Sequence, residues 1–443
     1  MARLAPRTQR ITQILATLGT LLFCARTNAQ TKPLVLELSK PEAVSATQFG
    51  LVLSVVPLAN GRLLVNDGAR RRLVVLDANL SNASVLIDSV AVGGQAYGPV
   101  ASPLIPYVGD STLFVDGVAR ALLLIGPQGT VARTMAPPKP SDLSYLTFGA
   151  SGTDTNGSLV YLSRFPLVPS YSAESVMSIV PSDSSPLVRA NFDSRTTDTL
   201  TRLRQLNGMP ATIASAGGVT TTRITINPLI AIDEWSVMSD GTVAVVRGHD
   251  YHVDLFRADG SKLSGPKLPF TFKRLTDADK QGLIDSSRKA MEQHDAETAA
   301  ARANSGAKDG RSQPAASSPP QGFVAFTVKG SDQAAPSGPP KNIYDFASLD
   351  EIADYWPPIR RGAVKADFDD SLWILPTTAT PIATGELLWD VVNNRGEFVH
   401  RVRTPAGRTI AGFGKGGVVY LMYRENDNGW RIERRRVVSS VVK

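Results

Sequence analysis

The sequence predicts an all-β fold, a six-bladed β-propeller, and three observations support this fold class. Six copies of a unit with two apolar strands recur along the chain. The opening turns of neighbouring copies lie 47 to 49 residues apart where no insertion intervenes. An apolar segment ahead of the first copy can supply an outer strand that the last copy lacks, which would close the ring. A β-sandwich followed by a second β domain is the alternative.

Length and composition set the limits for any function. The chain has 443 residues, of which 42% are apolar, so it can bury a large core and is not disordered throughout. Lys and Arg number 47 against 40 Asp and Glu, a net charge of +7. Four arginines lie in residues 1–29, which hold no acid, and 43 basic residues remain without them. A charge near +3 gives no support for a nucleic-acid or membrane partner.

Residues 1–29 have the features of a secretory signal peptide. Basic residues precede an apolar stretch from Ile14 to Cys24, and Thr27-Asn28-Ala29 offers small residues before a cleavage at Gln30. The stretch is shorter than the roughly 20 residues that a membrane span needs. We therefore expect export to the periplasm or beyond, with a lipid anchor or an uncleaved anchor as alternatives. No later segment is apolar enough to span a membrane.

Cysteine usage excludes several kinds of chemistry. Cys24 is the only cysteine, so a chain cleaved before Gln30 has none. Such a chain has no disulfide, no thiol nucleophile and no cysteine-ligated metal. Its stability must come from burial, which favours a large cooperative fold.

Each repeated copy consists of a turn, an apolar strand, a polar break and a second strand. The strands fall at 62–67 and 72–77, 112–116 and 121–126, 159–164, 242–247 and 251–256, 372–375 and 387–392, and 418–423 and 430–434. The gaps that follow the third and fourth copies are longer, so they must hold insertions. The segment at 33–38 is the one expected to close the ring.

Two phrases of the fourth copy carry a family resemblance. Residues 239–245 (SDGTVAV) and 253–260 (VDLFRADG) resemble the blades of bacterial six-bladed propellers of the NHL and TolB-like kind. The resemblance covers most of residues 33–443 outside the insertion. It implies the fold, and it implies no single activity, because such propellers include lactonases, quinoproteins, peptide-binding modules and scaffolds.

An insertion between blades four and five interrupts the propeller, which otherwise extends over residues 30–443. Residues 276–302 predict a helix, with Thr276 as its N-cap and acidic residues in its first turn. Residues 303–341 are rich in Ala, Ser, Gly and Pro and cannot bury enough apolar surface to become ordered, so we expect disorder there.

The first strand of each repeated copy is expected to be the second strand of a blade, and the ends of these strands supply most of the candidate ligand-binding residues. All of them should lie on one face around the channel mouth. These positions are Asp67, Asp116, Arg164, Arg247, Thr377 and Arg424. Several arginines in a ring could hold a carboxylate, a phosphate or an acidic peptide through charge-assisted hydrogen bonds. The alternative is that they are ordinary solvated turn residues. No catalytic signature is present, so the catalytic residues are unknown.

The run His249-Asp250-Tyr251-His252 is the densest polar cluster in the sequence. Both imidazoles and the Asp250 carboxylate could meet one metal ion if strand alternation broke at the turn. Imidazole sites usually need three protein ligands, and the sequence offers no further one. We predict a polar hairpin loop without a metal, and we include His249 and Asp250 among the ligand-binding candidates.

These observations predict an exported propeller that binds a ligand on its channel face without catalysis. The partner would be a protein, a peptide or a small anionic ligand, with no nucleic acid and no cofactor involved. The alternative is a calcium-dependent hydrolase similar to the propeller lactonases, with Ca²⁺ held in the central channel.

Overall fold

The structure is a computed structural model that describes part of the chain. The described residues are 33–90, 95–98, 100–148, 151–163, 170–171, 177–179, 184–204, 211–216, 219–304, 341–377, 385–425 and 429–438. The chain divides into two compact units, Met1–Leu34 and Val35–Lys443, and the second holds every element described below. The predicted signal peptide, Arg164 and most of the predicted disordered segment lie outside the described residues.

The first third of the chain forms ten strands. They are β1 (Val35–Leu38), β2 (Ala43–Val44), β3 (Val52–Pro57), β4 (Leu63–Asp67), β5 (Arg72–Leu76), β6 (Ala83–Ile87), β7 (Leu104–Tyr107), β8 (Ser111–Asp116), β9 (Ala121–Ile125) and β10 (Val131–Met135). A short 3₁₀ turn at Ala59–Gly61 separates β3 from β4.

The middle of the chain carries both helices and most of the inserted strands. A 3₁₀ turn at Pro140–Asp142 leads into α1 (Leu143–Phe148). The strands are β11 (Ser151–Thr153), β12 (Leu159–Leu162), β13 (Ser170–Tyr171), β14 (Met177–Ile179), β15 (Ser184–Ala190), β16 (Thr197–Arg204), β17 (Ala211–Ala216), β18 (Val219–Ile226), β19 (Glu234–Val237), β20 (Val243–Arg247), β21 (His252–Phe256) and β22 (Lys262–Ser264). Helix α2 (Asp277–Asn304) follows.

The last part of the described chain is again entirely β. Its strands are β23 (Lys341–Phe346), β24 (Val364–Ala366), β25 (Leu372–Ile374), β26 (Leu387–Val392), β27 (Phe398–Thr404), β28 (Arg408–Gly414), β29 (Val418–Arg424) and β30 (Trp430–Val438). The predicted strand pairs of the repeat therefore correspond to strands of the structure.

The strands form six sheets with a propeller-like arrangement. Four sheets have four strands each: β3–β6, β7–β10, β11-β12-β15-β16 and β19–β22. A nine-stranded sheet contains β24–β27, β1 and β28–β30, with β2 paired to β30. The five-stranded sheet β13-β14-β17-β18-β23 is built from inserted segments.

Each group of strands begins with a strand that precedes the repeated copy, and these first strands lie nearest a common axis. They are β3, β7, β11, β19, β24 and β28. Around this axis β28 contacts β3, β3 contacts β7, β7 contacts β11, β11 contacts β19, and β19 contacts β24. The second strands, such as β4 and β8, are buried along their whole length, because their sheets are covered on both faces. The outermost strands β6 and β10 are mostly exposed.

The core consists of apolar layers between neighbouring sheets. Between the first two sheets, Leu64 packs in one buried cluster with Phe114. A matching layer brings Leu63 of β4 together with Tyr420 and Ile432 of β29 and β30, so the first sheet packs against the last strands. Burial of this kind is the main source of stability in a chain of this composition.

Strand β1 joins the beginning of the chain to its end. Glu37 and Leu38 pair antiparallel with Val438 and Val437 of β30, which is the closure that the sequence predicts. The same strand also pairs in parallel with β27, the outer strand of the preceding group. This second pairing was not expected, and it fuses two groups of strands into the nine-stranded sheet.

We call the five-stranded inserted sheet together with α2 the cap. The sequence predicts insertions after the third and fourth copies, and it assigns elements only to the second of these, between blades four and five. The structure adds the strands β13 and β14 inside the third copy and β17 and β18 after it. Strands β18 and β23 pair in parallel, which links the earlier insertions to the later one. Ile284 of α2 packs with Leu275, Ala347 and Ile352 in a cluster beneath the helix.

Candidate functional site

The candidate site lies on the side of the propeller where second strands end and first strands begin. Adjacent strands of each sheet are antiparallel, so these positions share one edge. The insertions that form the cap leave from the same edge, since they follow β12, β16 and β22. We call this side the cap-side face.

Two of the predicted carboxylates are used inside the fold. Asp67 is fully buried and accepts hydrogen bonds from the backbone N–H groups of Gly50 at 3.0 Å and Leu51 at 3.1 Å. It also forms an ion pair with Arg72 at 3.2 Å. These bonds fasten the end of β4 to the beginning of β3.

Asp116 has a comparable place at the end of β8. Its Oδ1 accepts from the N–H groups of Val118 at 2.9 Å and Ala119 at 3.0 Å, which closes the turn into β9. The side chain is fully buried, and within the described part of the chain its Oδ2 has no hydrogen-bond partner.

Arg247 is the centre of a partly buried charge network at the end of β20. Its guanidinium bonds Asp254 at 2.9 Å and Asp233 at 2.9 Å. Asp233 also accepts from the backbone N–H groups of Arg204 at 3.0 Å and Gly248 at 3.1 Å. Charge-assisted bonds of this geometry hold the surrounding loops in place, so Arg247 stabilises the loops of the cap-side face.

Gly248 allows a close approach at this point. A Cβ atom at this position would lie 1.9 Å from the carbonyl oxygen of Ile232, which no larger residue tolerates. The turn after β20 is thereby pressed against the segment that leads into β19.

The His249-to-His252 run is divided between surface and core. His249 and Asp250 are exposed at the turn. Tyr251 is fully buried and donates from its hydroxyl to Asp390 at 3.2 Å, while His252 Nε2 lies 3.5 Å from Asp254. Among the described residues, no group of three or more His, Cys, Asp or Glu side chains is arranged to hold a metal ion.

Arg424 and Thr377 are the remaining predicted positions in the described part of the chain. Arg424 is exposed at the end of β29, next to the ion pair between Glu425 and Arg431. The Thr377 hydroxyl donates to the carbonyl of Pro357. Among the described candidates, His249 lines a large cavity, and the ring of ligand-binding residues stays a prediction.

That cavity, the cap cavity, has a volume of about 630 Å³ and opens between the propeller and the cap-side loops. Such a volume lies within the usual range of ligand-binding pockets. Its lining residues are Arg204, Asn227, Leu229, Ile230, Ala231, Gly248, His249, Phe272, Glu351, Ala353, Asp354, Tyr355, Trp356, Pro357 and Pro358.

A row of aromatic rings runs from the core into the cap cavity. Ring centroids are separated by 5.3 Å between Tyr251 and Phe270, 4.8 Å between Phe270 and Phe272, and 6.4 Å between Phe272 and Tyr355. The successive pairs meet edge to face, a favourable geometry for aromatic side chains. Phe272 is 44% exposed and Tyr355 is 49% exposed, so two large apolar surfaces face the opening.

The loop that carries Tyr355 is held firmly. The Trp356 N–H donates to the Lys273 carbonyl at 2.9 Å, and the Leu275 N–H donates to the Asp354 carbonyl at 2.8 Å. The buried Lys280 of α2 bonds the Asp354 carboxylate at 2.8 Å, and this bond lowers the pKa of Asp354. We call the rings of Phe270, Phe272, Tyr355 and Trp356 the aromatic wall. It is supported by α2 and by residues 273–275, which bond residues 354–356.

A second cavity, the channel cavity, lies on the propeller axis and has a volume of about 230 Å³. It is lined by the first strands, with Ser54, Val55, Val56, Leu104, Pro106, Ser151, Trp235, Ser236, Val237, Val364, Lys365, Ala366, Phe368, Gly412 and Phe413. Glu234 lies near its end on the cap-side face, where its carboxylate accepts from the Gly362 N–H at 3.0 Å. Burial raises the pKa of Glu234 to about 7, against the weaker opposing effects of that bond, Arg361 and Lys365.

The aromatic wall was not among the sequence candidates. Phe270 and Phe272 follow the fourth copy, and Tyr355 and Trp356 precede the fifth, so the two halves come from opposite ends of the insertion. The sequence feature that could have indicated these residues is the presence of aromatic side chains at both ends of the insertion, outside the repeated copies.

Comparison with known proteins shows no family. No protein-family model and no curated protein sequence matches the chain. Among solved structures, a DUF4221 family member from Bacteroides vulgatus is similar at a TM-score of 0.43 and 9% identity, covering 92% of this chain and 100% of that one. A virginiamycin B lyase from Staphylococcus aureus gives 0.38 and 8%, covering 89% and 98%. A calcium-binding regucalcin from Agrobacterium tumefaciens gives 0.37 and 11%, covering 92% and 97%.

These neighbours are propeller proteins with different activities, so the likeness carries no conclusion about a ligand. The resemblance to the NHL and TolB-like kind remains a prediction. Within the described residues, no helix is both long enough and apolar enough to cross a membrane.

Proposed function

We propose that this chain is an exported six-bladed propeller that binds a peptide segment of a partner protein in the cap cavity, without catalysis and without a metal ion. Export rests on the predicted signal peptide at residues 1–29. The blade number rests on the six sequence copies, counting β24–β27 and β28–β30 as separate blades joined by β1.

The observation that carries the proposal is the pair of half-exposed rings at the cavity opening. Phe272 and Tyr355 together leave a large apolar surface in water, on two segments that backbone hydrogen bonds hold side by side. Rigid aromatic side chains at a concave site are the commonest anchors of protein interfaces, because they bury much surface at little cost in entropy. A peptide side chain packed against the exposed sides of both rings would cover that surface.

The polar groups at the cavity suit a peptide backbone or an acidic side chain. Arg204 and His249 lie on the propeller wall, and Asn227 and Glu351 lie on the wall formed by the cap-side loops. In the described part of the chain the Arg204 guanidinium makes no ion pair within 4.0 Å, so it is available to a carboxylate. Arg204 is therefore the group expected to receive an acidic side chain or the terminal carboxylate of the peptide.

The proposal is tested by peptide display with matched variants. The immobilised chain from Gln30 onward is used to select from a random twelve-residue peptide library. The selected peptides are then titrated against the double variant Phe272→Ala, Tyr355→Ala. The control is Val85→Ala, Val399→Ala, which removes apolar surface at two residues that are each 50% exposed and lie outside the cap cavity.

We expect the Phe272/Tyr355 variant to bind the selected peptides at least about tenfold more weakly, as is typical of aromatic anchors. The Val85/Val399 variant should bind them like the original chain. Failure to select any peptide, or equal binding by both variants, would overturn the proposal.

A further inference from the structure

The channel cavity contains polar groups for which the fold provides no partner. The hydroxyl oxygens of Ser54 and Ser151 are buried, and no described residue forms a hydrogen bond with either of them. The third serine, Ser236, differs because its hydroxyl accepts from the Ala366 N–H at 3.2 Å. Buried polar groups are almost always hydrogen-bonded, so two orphaned hydroxyls in one cavity indicate a missing acceptor or donor.

Lys365 adds a partly buried amine to the same cavity. In the described part of the chain its ammonium group has neither an ion pair within 4.0 Å nor a hydrogen bond. Burial lowers the pKa of Lys365, and the nearby Glu234 opposes this shift only in part. An amine that the fold places in a narrow channel without a counter-ion is unfavourable unless something else supplies the negative charge.

The other walls of the cavity are apolar. Val55 and Trp235 border it from β3 and β19, and Phe413 borders it from β28. A ligand that suits these walls carries an apolar body beside a single anionic group. A multiply charged anion such as phosphate fits less well, because one cation faces it and the Glu234 carboxyl lies near.

We propose that the channel cavity binds a small organic monocarboxylate, with its carboxylate at Lys365 and its apolar body against Trp235 and Phe413. The hydroxyls of Ser54 and Ser151 donate to the carboxylate oxygens or to a water that they share. The volume of about 230 Å³ holds roughly seven waters at about 30 Å³ each, which is enough for a molecule the size of benzoate. This site is separate from the cap cavity and needs no peptide to be bound there.

The test uses 4-fluorobenzoate, followed by fluorine NMR on the chain from Gln30 onward, with 4-fluorobenzamide as the uncharged probe of the same shape. We expect saturable binding of the carboxylate and at least about tenfold weaker binding of the amide, because a hydrogen bond to a charged group is worth about 1.5–3 kcal/mol. The variant Lys365→Met should lose at least about tenfold in affinity for the carboxylate. The control Lys267→Met, an exposed lysine outside both cavities, should bind it normally.

Ser151→Ala serves as a second variant in case Lys365→Met fails to fold, and it should bind the carboxylate several-fold more weakly. The result that would overturn the proposal is no saturable binding, equal binding of acid and amide, or equal binding by Lys365→Met. The Phe272/Tyr355 variant should still bind 4-fluorobenzoate, so the failure of either site can be recognised independently.

Discussion

At the scale of single residues, the pKa values of Glu234 and Lys365 near the propeller axis are shifted by burial more than by neighbouring charges. Glu234 and Lys365 influence each other's pKa, but within the described residues they are not joined by an ion pair. Elsewhere the fold pairs its buried acids closely, as in the 2.7 Å contact between Asp390 and Arg401. Burial raises the pKa of Asp390 as well, so in the described part of the chain Glu234 differs from it in lacking a paired arginine and not in the direction of its shift.

Glu234 leads to a prediction about pH. Its pKa is about 7 in the folded chain against 4.5 for an ordinary glutamate, so the folded state holds a proton that the unfolded state releases between these values. The free energy of unfolding should therefore fall as pH rises from about 5 to about 7.5, by up to roughly 3 kcal/mol. In Glu234→Gln this decrease should be much smaller in urea titrations.

The control for this pH effect is Glu292→Gln, a substitution at an exposed position of α2. It should retain the pH dependence of the original chain. If Glu234→Gln shows the same decrease as the control, the carboxyl does not titrate in this range, and the account of the channel given above is wrong.

At the scale of elements, the cap depends on a few contacts that attach α2 to the loop beside it. Lys280 is buried and reaches both the Asp354 carboxylate at 2.8 Å and the Leu349 carbonyl at 2.9 Å. The rest of the exposed helix makes few such contacts. One lysine therefore links the helix to the aromatic wall of the cap cavity.

We expect Lys280→Ala to loosen that wall while leaving the propeller intact. Amide hydrogen exchange should become at least about tenfold faster in residues 351–358 and in the first turn of α2, because local opening there costs less free energy. Strands β4 and β8 should exchange as before, and Lys289→Ala, at an exposed position of the same helix, should change neither region. Unchanged exchange in residues 351–358 would show that other contacts hold the loop.

The sequence predicts the strands of the repeated copies, and it misses the elements that occur outside them. The second strands are found because an unbroken apolar run such as Leu63–Val65 follows a glycine turn. The first strands are missed because they are short or contain small residues, as in Ser151–Thr153 and in β28 with its Gly412 and Gly414. Strands at the axis pack closely, so residue size is restricted there. The alternation of apolar and polar residues that marks an ordinary strand is therefore absent.

The site is harder to predict than the fold. His249 could be selected from its own sequence neighbourhood, whereas Phe272 and Tyr355 are 83 residues apart in the chain. Backbone hydrogen bonds between residues 273–275 and 354–356 bring them together, and no local pattern in the sequence signals that pairing. Asp67 and Asp116 are candidate ligands when only the sequence is read. Their carboxylates in fact accept hydrogen bonds from backbone N–H groups, and such bonds cannot be recognised from residue types.

At the scale of the whole molecule, the carboxylates of the cap-side face bear on the calcium-dependent alternative. Asp67 and Asp233 already accept backbone N–H groups and arginine, so little charge remains to collect a cation there. We therefore expect the Tm of the chain from Gln30 onward to stay within about 1 °C after EDTA treatment and after addition of Ca²⁺, since a ligand at 100 times its Kd stabilises by about 2.7 kcal/mol. A reversible rise with Ca²⁺, absent with Mg²⁺ at equal ionic strength, would favour the hydrolase.

The pairing of β1 with β30 also determines when the molecule can become complete. A ribosome delivers β1 before all the other described strands and β30 after them. Until then the nascent chain is an open arc, and the apolar face that includes Leu63 and Val65 lacks the cover that β29 and β30 later give it. Such a face is prone to aggregate, so a cell that makes this protein must shield it until synthesis reaches the last strand.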